Sequence, residues 1–247
     1  MPGIRYVRAA ADGGPLKGGA PRVVWHALGA DPRQVSARSA AQRLDTAGHP
    51  THLVWNPHSG EIIQLIPIVR AARALCLSEP LGSPSWPAAV RAGDPNAEGR
   101  VCVQIGVVAR DDEPFTGGPM VGRREIMGWL DSWDIPRLWP AGQPAAFPEC
   151  RAAGHSRRLW ARGGHFGASQ VPGQVATGPG AIDTERLTGC GAATAGHPAP
   201  ARADGPLQPV SSHNGGQPAG AGYDPPDLGE LLGTHAALPP ARLSRVR

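Results

Sequence analysis

The sequence predicts one domain of the α/β (α+β) class, with a central mixed β-sheet flanked by helices and followed by a disordered tail. Short runs rich in β-branched residues alternate with amphipathic stretches in the order β-α-β-β-α-β-α. The 247 residues are 40% hydrophobic, enough for a core, while 34 Gly and 28 Pro indicate segments outside it. We therefore expect a flexible lead-in (1–20), a folded domain (21–187) and a Gly/Pro/Ala-rich tail (188–247).

The folded domain is predicted to begin with a strand and a helix. Residues 22–25 (RVVW) form a short β-branched run, which is typical of a buried strand. Asp31 followed by Pro32 has the pattern of a helix start, and it predicts a helix over residues 35–44. The sequence GHP that follows ends this helix.

The next elements are predicted to be a hairpin, a helix, a central strand and a further helix. Two strand-like runs, 51–55 and 61–66, flank the loop NPHSG, whose residues favour a turn. Residues 69–77 are predicted to be helical. Residues 101–108 (VCVQIGVV) are apolar on both faces, as in a strand at the centre of a sheet. Residues 121–133 have apolar side chains at helical spacing.

Composition excludes several classes of protein. No apolar run is long enough to span a membrane, and no basic run interleaves with aromatic residues, so we expect neither a membrane span nor nucleic-acid binding. The net charge of +4 is scattered, and Lys17 is the only lysine. The four cysteines lack CxxC spacing, which excludes a zinc ribbon. We expect a monomer.

Several motifs of the folded domain occur together in one group of proteins. They are VVWH, HLVWNPHSGEIIQLIP, VCVQI, GWLDSWDIPRLWPAG, RGGHFGASQVPG and GPGAID. Over roughly residues 20–188 the chain resembles actinobacterial and phage N-acetylmuramoyl-L-alanine amidase-like domains, which are related to peptidoglycan recognition proteins. The resemblance implies a mixed sheet with helices on both faces. It also implies hydrolysis of the amide that joins muramic acid to L-alanine in peptidoglycan.

The resemblance further implies a zinc ion held by three protein ligands, with an open position for the attacking water. His26, at the end of VVWH, matches the first ligand. When the group's ending is laid without gaps onto this chain, its second His and its Asp ligand fall on Ala168 and Gly178. Neither residue can bind zinc, so we expect the cofactor to bind weakly or not at all.

Two catalytic positions of the group are also altered. Gly106 stands where relatives usually carry a Glu that points into the cleft, and Thr51 stands where many carry a Tyr. His52 and His165 are near predicted strand ends, and we consider a rebuilt zinc site of His26, His52 and His165 as an alternative.

Two hypotheses on function follow from these motifs. The first is a peptidoglycan-directed amidase whose activity is weak or lost; the alternative is a non-catalytic module that binds muramyl peptides. Trp139 and Trp160 are the predicted substrate contacts at the cleft rim, together with Asn56 of the WNP motif. The N-terminal sequence shows no signal peptide. We therefore expect cytoplasmic synthesis and action at the cell wall, with the localisation left open.

Overall fold

One mixed sheet of six strands organises the computed structural model of the protein, which describes residues 1–75, 94–147, 149, 156–174 and 178–189. The strands are β1 (Arg5–Tyr6), β2 (Arg22–Ala27), β3 (Leu53–Trp55), β4 (Ile62–Gln64), β5 (Cys102–Val107) and β6 (Gly164–Gly167). Their order across the sheet is β1-β4-β3-β5-β2-β6. The β3–β4 pair is antiparallel and the other pairs are parallel, which confirms the predicted fold class.

The apolar strand β5 lies near the middle of the sheet, between β3 and β2, as its sequence predicts. All six of its residues are buried. It pairs with β2 along its whole length, from Arg22↔Cys102 to Ala27↔Val107, and β3 pairs with its second half. Because β2, β3 and β5 run in the same direction, their last residues meet at one edge of the sheet, which we call the carboxyl edge.

Helices cover both faces of the sheet. They are α1 (Ala37–Thr46), α2 (Arg123–Asp131), α3 (Arg157–Trp160) and α4 (Thr184–Thr188). Helix α1 begins two residues later than predicted because Ser36 is the N-cap, its Oγ accepting from the N–H of Ser39. Asp31 instead closes a turn by accepting from the N–H of Arg33. No helix of the described ranges is long and apolar enough to cross a membrane.

The helix predicted over 69–77 is wrong for its described part, which ends at Leu75. The backbone here bonds to neighbouring segments instead of to itself. Ala71 donates its N–H to Gly14 O at 2.9 Å, and Leu75 exchanges hydrogen bonds of 3.1 and 2.9 Å with the side-chain amide of Asn96. These partners satisfy the peptide groups that a helix would have paired internally. Residues 76–77 lie outside the described residues.

The first twenty residues pack against the sheet, which corrects the expectation of a flexible lead-in. Strand β1 pairs with β4, and the N–H groups of Val7 and Ala9 continue the ladder to the carbonyls of Gln64 and Leu65. The outer edge of β4 offers unpaired backbone groups, and the polar lead-in covers them. The described residues all fall in one compact unit. Of the predicted tail (188–247), Thr188 and Gly189 belong to the end of α4, which corrects its start, and residues 190–247 lie outside the described residues.

The two faces of the sheet bury separate cores. Trp25 and Trp55 lie on one face, 6.4 Å apart between ring centroids, and pack with Phe115 and with apolar residues of α2. We call this the α2 face. On the opposite, α1 face, Val54 and Ile63 pack against the small residues of α1, while Val24 packs against Phe166 and Trp160. Successive residues of β2 therefore serve different cores.

Two arginines hold the end of α4. Arg123 donates from Nη1 to the carbonyl of Leu187 at 3.1 Å, and Arg137 donates from Nη1 to the carbonyl of Thr188 at 2.7 Å. Gly189 follows in the left-handed conformation with φ +75°, which ends the helix. Cations at a helix C-terminus also interact favourably with its dipole.

Glu98 joins three groups beneath the β6 side of the sheet. It accepts from Arg157 Nη1 and from Trp160 Nε1, both at 2.6 Å, and lies 3.7 Å from Nη1 of Arg22. Arg22 is only 3% exposed, and its guanidinium stacks 4.2 Å above the Trp160 ring. Burial lowers the pKa of Arg22, and Glu98 opposes that effect. Glu98 is thus the counter-charge of a buried cation.

Replacing Glu98 with Ala is therefore expected to lower the free energy of unfolding by about 3–5 kcal/mol. Arg22 would stay buried without its counter-charge, and Trp160 would lose its acceptor. Urea denaturation of the full chain measures the change. Glu113→Ala is the matched control, because Glu113 is exposed and forms no ion pair within the described residues. Equal losses in both variants would contradict this role of Glu98.

Candidate functional site

The candidate site is a row of three residues across neighbouring strands at the carboxyl edge. His26 of β2 is directly opposite Gly106 of β5. On the other side of β2, Trp25 is opposite Gly167, the last residue of β6. Ala168 follows Gly167 in the chain and therefore lies beside His26. We call Gly106, His26 and Ala168 the central row. Of the three, only His26 carries a polar side chain.

His26 is a buried histidine with an unsatisfied ring. Its side chain is 8% exposed, its Nε2 is buried without a partner, and no hydrogen bond joins its ring to another described residue. Burial lowers the pKa of His26 to about 4, so the ring is neutral at pH 7. A neutral imidazole with a free nitrogen is the form that binds metals. His26 thus keeps the chemistry of a ligand.

Leu28 lies against Gly106. A Cβ built on Gly106 would lie 3.2 Å from both terminal carbons of Leu28 and 3.4 Å from Oγ1 of Thr51. Thr51 is fully buried and donates its hydroxyl to the carbonyl of Leu53 at 2.8 Å. The space is therefore filled by an apolar side chain and a satisfied hydroxyl. Sequence analysis did not single out Leu28, because an apolar residue after a strand carries no signal of its own.

Gly178 lies against Ala27, the last residue of β2 and the one that follows His26. A Cβ at Gly178 would be 2.7 Å from Oδ1 of Asp111, 3.0 Å from the Cβ of Ala27 and 3.1 Å from its backbone nitrogen. The carbonyl of Gly178 accepts from the N–H of Ser169 at 2.9 Å. The GPGAID segment therefore packs beside the central row, and a side chain at Gly178 would require Asp111 to move.

The two alternative zinc ligands do not complete this site. His52 is fully buried, and both of its ring nitrogens are used: Nδ1 accepts from the N–H of Gln104 at 3.0 Å, and Nε2 donates to the carbonyl of Arg70 at 2.8 Å. Burial lowers the pKa of His52 to about 4. No lone pair remains for a metal. His52 instead links the start of β3 to Arg70, in the segment that follows β4.

His165 lies on the opposite face of the sheet from His26. It is paired with Val23, and residues 23 and 26 of one strand point to opposite faces. Nδ1 of His165 accepts from Nε1 of Trp25 at 3.2 Å, and the two rings stack at 6.0 Å. Burial, followed by the nearby charge of Arg137, lowers the pKa of His165 to about 3. The rebuilt site of three histidines is therefore wrong, because His165 lies across the sheet from His26 and both ring nitrogens of His52 are already used.

The donor set consequently does not fit zinc. His26 is the one polar side chain of the central row, and Ala168 and Gly178 have no side-chain atom that can bind zinc. Across the described ranges, no three His, Cys, Asp or Glu side chains are grouped to hold a metal ion. A catalytic zinc site needs three protein ligands.

Two of the predicted substrate contacts are structural residues. Trp160 is 1% exposed and donates to Glu98, so it cannot form a rim. Asn56 is 2% exposed; its amide nitrogen donates to the carbonyls of Pro32 and Val35 at 2.8 and 2.9 Å. Its Oδ1 accepts from two N–H groups of the hairpin loop. Asn56 thus joins the loops after β2 and β3, a role that its sequence position did not indicate.

Trp139 remains a candidate contact. Its side chain is half-buried, with the ring 5.6 Å from that of His165 and Nε1 donating to Oε1 of Gln170 at 2.8 Å. Gln170 also accepts from the N–H of Gly167 and donates to the carbonyl of Gly142. The SQVP and LWPAG motifs therefore meet in one hydrogen-bonded wall, from which part of the indole is exposed.

A groove of about 870 Å³ also opens at the carboxyl edge. The loops after β2, β3 and β5 and the start of α4 form its sides. Ligands of open α/β sheets bind at the carboxyl ends of the strands. Sequence analysis missed this groove because its residues come from three separate loops and from the start of α4. Among those lining it are Asp31, Arg33, His58, Arg110, Glu113, Phe115, Asp183, Glu185 and Arg186.

The buried histidines predict acid sensitivity. The folded-state pKa values of His26 and His52 are about 4, below the unfolded value of about 6.5, so between these values the unfolded chain binds more protons. The free energy of unfolding should therefore fall as the pH drops from 6.5 to 4, by roughly 3 kcal/mol for each histidine. Urea titrations at pH 7.0, 5.5 and 4.5 measure this dependence.

Two variants separate the histidines. His26→Gln should remove the part of the pH dependence that comes from His26. At pH 7 it should change the free energy of unfolding by less than about 1 kcal/mol, because it breaks no hydrogen bond. His52→Leu should also remove its share, but should cost about 2–4 kcal/mol at pH 7, because it leaves Gln104 N–H and Arg70 C=O unpaired. An unchanged pH profile in both variants would refute the assignment.

Comparison with protein-family models and with curated proteins finds no match. Among solved structures, the chain is similar to the hydrolase AmiA from Staphylococcus aureus in complex with its ligand, at 10% identity over 73% of this chain and 72% of AmiA, with a TM-score of 0.40. It is similar to a point mutant of PlyL at 16% identity, over 54% and 77% of the two chains, with a TM-score of 0.34. It is also similar to LysCS, an endolysin N-acetylmuramoyl-L-alanine amidase from Clostridium intestinale, at 12% identity over 77% and 95%, with a TM-score of 0.40.

Proposed function

We propose that this domain binds the muramyl peptides of peptidoglycan without hydrolysing them. The observation that carries the proposal is the central row. The amidase motifs around it are present, while two of its three positions, Gly106 and Ala168, have no functional group. Substrate recognition and catalysis depend on different parts of such a fold, so the first can persist after the second is lost.

Hydrolysis of an amide at neutral pH needs an activated water and a group that polarises the carbonyl. His26 could take part in either task, but it has no partner to orient it. Gly106 supplies no carboxylate to act as a base, and the Thr51 hydroxyl already donates to the backbone. With Ala168 and Gly178 in place of ligands, the row has no means of holding a zinc-bound water.

Features that could recognise a cell-wall fragment remain in place. Gln170 connects the SQVP motif to the loop that carries Trp139, and the exposed part of that indole can stack on a sugar. The groove beside the row offers both charges and apolar surface at the carboxyl edge. Neither the exposed indole of Trp139 nor the groove needs a metal ion in order to bind a ligand.

The purified full chain tests the proposal in two assays. It should co-sediment with purified peptidoglycan sacculi in the presence of a chelator, and it should release no dye from dye-labelled sacculi, with or without added zinc. Trp139→Ala is expected to weaken co-sedimentation several-fold because it removes the stacking surface. Dye release by the wild-type chain would overturn the non-catalytic assignment, and failure to co-sediment would overturn the assignment to peptidoglycan.

Restoring the missing ligands tests the placement of the site. Ala168→His together with Gly178→Asp should create stoichiometric zinc binding, measured by calorimetry, whereas either change alone should bind zinc weakly. The Gly178→Asp side chain must displace the carboxylate of Asp111, so some loss of stability is expected. The matched control, Ala168→Gln with Gly178→Asn, has similar bulk without good zinc ligands.

The carboxylate can be added in a second step. Gly106→Glu is combined with Leu28→Ala, because the Leu28 carbons lie 3.2 Å from the new Cβ and would have to shift. Some dye release by this quadruple variant is then expected. A folded double variant that binds no zinc would show that Ala168 and Gly178 are not the ligand positions.

A further inference from the structure

The two outer strands of the sheet, β6 and β1, differ in how their free sides are treated. At β6, the N–H of His165 donates to the carbonyl of Leu138 at 2.8 Å, and the N–H of Gly167 donates to Oε1 of Gln170. A neighbouring segment therefore covers this side. The free side of β1, at the other end of the strand order, has no such cover among the described residues. We call the free side of residues 5–8 the β1 edge.

The backbone of Tyr6 and Arg8 faces outward at the β1 edge. The N–H of Val7 donates to the carbonyl of Gln64 in β4, and neighbouring residues of a strand turn their peptide groups to opposite sides. The N–H and C=O groups of Tyr6 and Arg8 therefore point away from β4. None of these four groups has a partner in the part of the chain that the structure describes.

The β1 edge is short and its side chains are exposed. Tyr6 is 49% exposed and Val7 38% exposed, so apolar surface lies beside the unpaired peptide groups. The open stretch ends at Ala10, whose N–H donates to Oδ1 of Asp45 at 2.8 Å. An uncovered outer strand of this kind is the template on which an extended segment of another protein can add a strand.

A groove of about 450 Å³, which we call the β1 groove, lies beside this edge. Tyr6 and Arg8 line it from β1, and Pro67 and Arg70 line it from the segment after β4. Because Tyr6 and Arg8 are two residues apart, their side chains lie on the same face of the strand. A strand that pairs with the β1 edge therefore brings every second side chain to the face of this groove.

The charge at the β1 edge is positive and unmatched. Arg5 and Arg8 are exposed, and neither side chain forms an ion pair or hydrogen bond within the described ranges. The β1 groove also contains Asp12, but Arg70 already donates to both of its oxygens, at 2.8 and 3.1 Å. Arg5 and Arg8 are therefore available to the carboxylates of a partner, which a guanidinium binds through two parallel hydrogen bonds.

These arginines favour an acidic partner over a second copy of this chain. Antiparallel pairing of two β1 edges would gather four arginine side chains, and like charges across a strand pair are destabilising. Charged side chains on outer strands are one means by which proteins prevent identical edges from pairing. An acidic segment avoids this repulsion and complements the charge of the edge.

We propose that the β1 edge binds an extended acidic segment of a partner protein, which adds a strand to the sheet. The backbone of the segment pairs with Tyr6 and Arg8, its carboxylates bind Arg5 and Arg8, and two apolar side chains between them contact Tyr6 and Val7. The matching pattern is acidic-apolar-apolar-acidic, which is the same in either strand direction. The β1 groove shares no residue with the groove at the carboxyl edge, so this inference goes beyond the proposed function and does not depend on it.

The test measures the Kd of the peptide GSEVVESG, labelled with fluorescein at one end and amidated at the other, for the full chain by fluorescence anisotropy. The wild type should bind it, and GSKVVKSG should bind at least about tenfold more weakly because its lysines meet arginines. Arg5→Gln with Arg8→Gln should also weaken binding of GSEVVESG at least about tenfold. The matched control is Arg124→Gln with Arg162→Gln, which removes the same charge from exposed residues outside β1 and should change Kd less than about twofold.

Proline substitution tests whether the peptide pairs with the backbone. Tyr6→Pro removes an outward N–H but no hydrogen bond to β4, and proline is tolerated at such positions of outer strands. Tyr6→Ala loses the same ring and keeps the N–H, so it is the matched control. Tyr6→Pro should bind GSEVVESG several-fold more weakly than Tyr6→Ala does.

Amide hydrogen exchange, followed by NMR, gives a second measurement on the unaltered chain. The N–H groups of Tyr6 and Arg8 should exchange more slowly in the complex with GSEVVESG, because pairing removes them from water. Unchanged exchange at both residues, or equal Kd values for the folded Tyr6→Pro and Tyr6→Ala variants, would overturn the added strand.

Other occupants of the β1 edge give different results. A concentration-dependent dimer in analytical ultracentrifugation that Tyr6→Pro abolishes would assign the edge to a second copy. Binding to phosphatidylserine vesicles that requires Arg5 and Arg8 but is unaffected by Tyr6→Pro would assign it to a lipid surface. Either result, without binding of GSEVVESG at about 1 mM, overturns the proposal. Co-sedimentation with sacculi should be unchanged in Tyr6→Pro, so the proposed function stands or fails separately.

Discussion

The parallel pairing of β2, with β5 on one side and β6 on the other, is the constraint on which the rest of this structure depends. It brings the last residues of the strands to one edge, and it sets Gly106, His26 and Ala168 side by side. The same pairing assigns alternate residues of β2 to opposite faces, so that Trp25 packs against α2 while His26 faces the side of α1. This register determines which side chains lie next to His26 at the carboxyl edge.

Much of the fold could be predicted because its signals are local. The β-branched run of β2, the turn residues of the β3–β4 hairpin and the two-sided apolar pattern of β5 each report on their own conformation. The failures are of another kind. The helical pattern after β4 was overridden by hydrogen bonds to Gly14 and Asn96, and the lead-in was ordered by the open edge of β4. These partners are distant in the chain, so no local sequence pattern predicts them.

In the candidate site, too, some features could be predicted from local sequence and others depend on distant partners. His26, Gly106 and Ala168 lie side by side, and Gly178 lies against Ala27, because the order of the strands fixes these positions. The motifs do not show which hydrogen bonds each side chain makes. His52 and His26 are both buried histidines near a strand end, yet the first is held by two backbone groups and the second by none. Only the first is explained by stability, since an unsatisfied buried ring costs free energy.

The two arginines at the end of α4 also determine how the domain resists force. Any pull on the chain beyond Gly189 reaches first the carbonyls of Leu187 and Thr188, which Arg123 and Arg137 hold. Arg123 belongs to α2 and Arg137 pairs with Asp131 at its end, so both connect α4 to a helix packed on the main core. Because the start of α4 also forms one side of the groove, these two arginines hold that side in place.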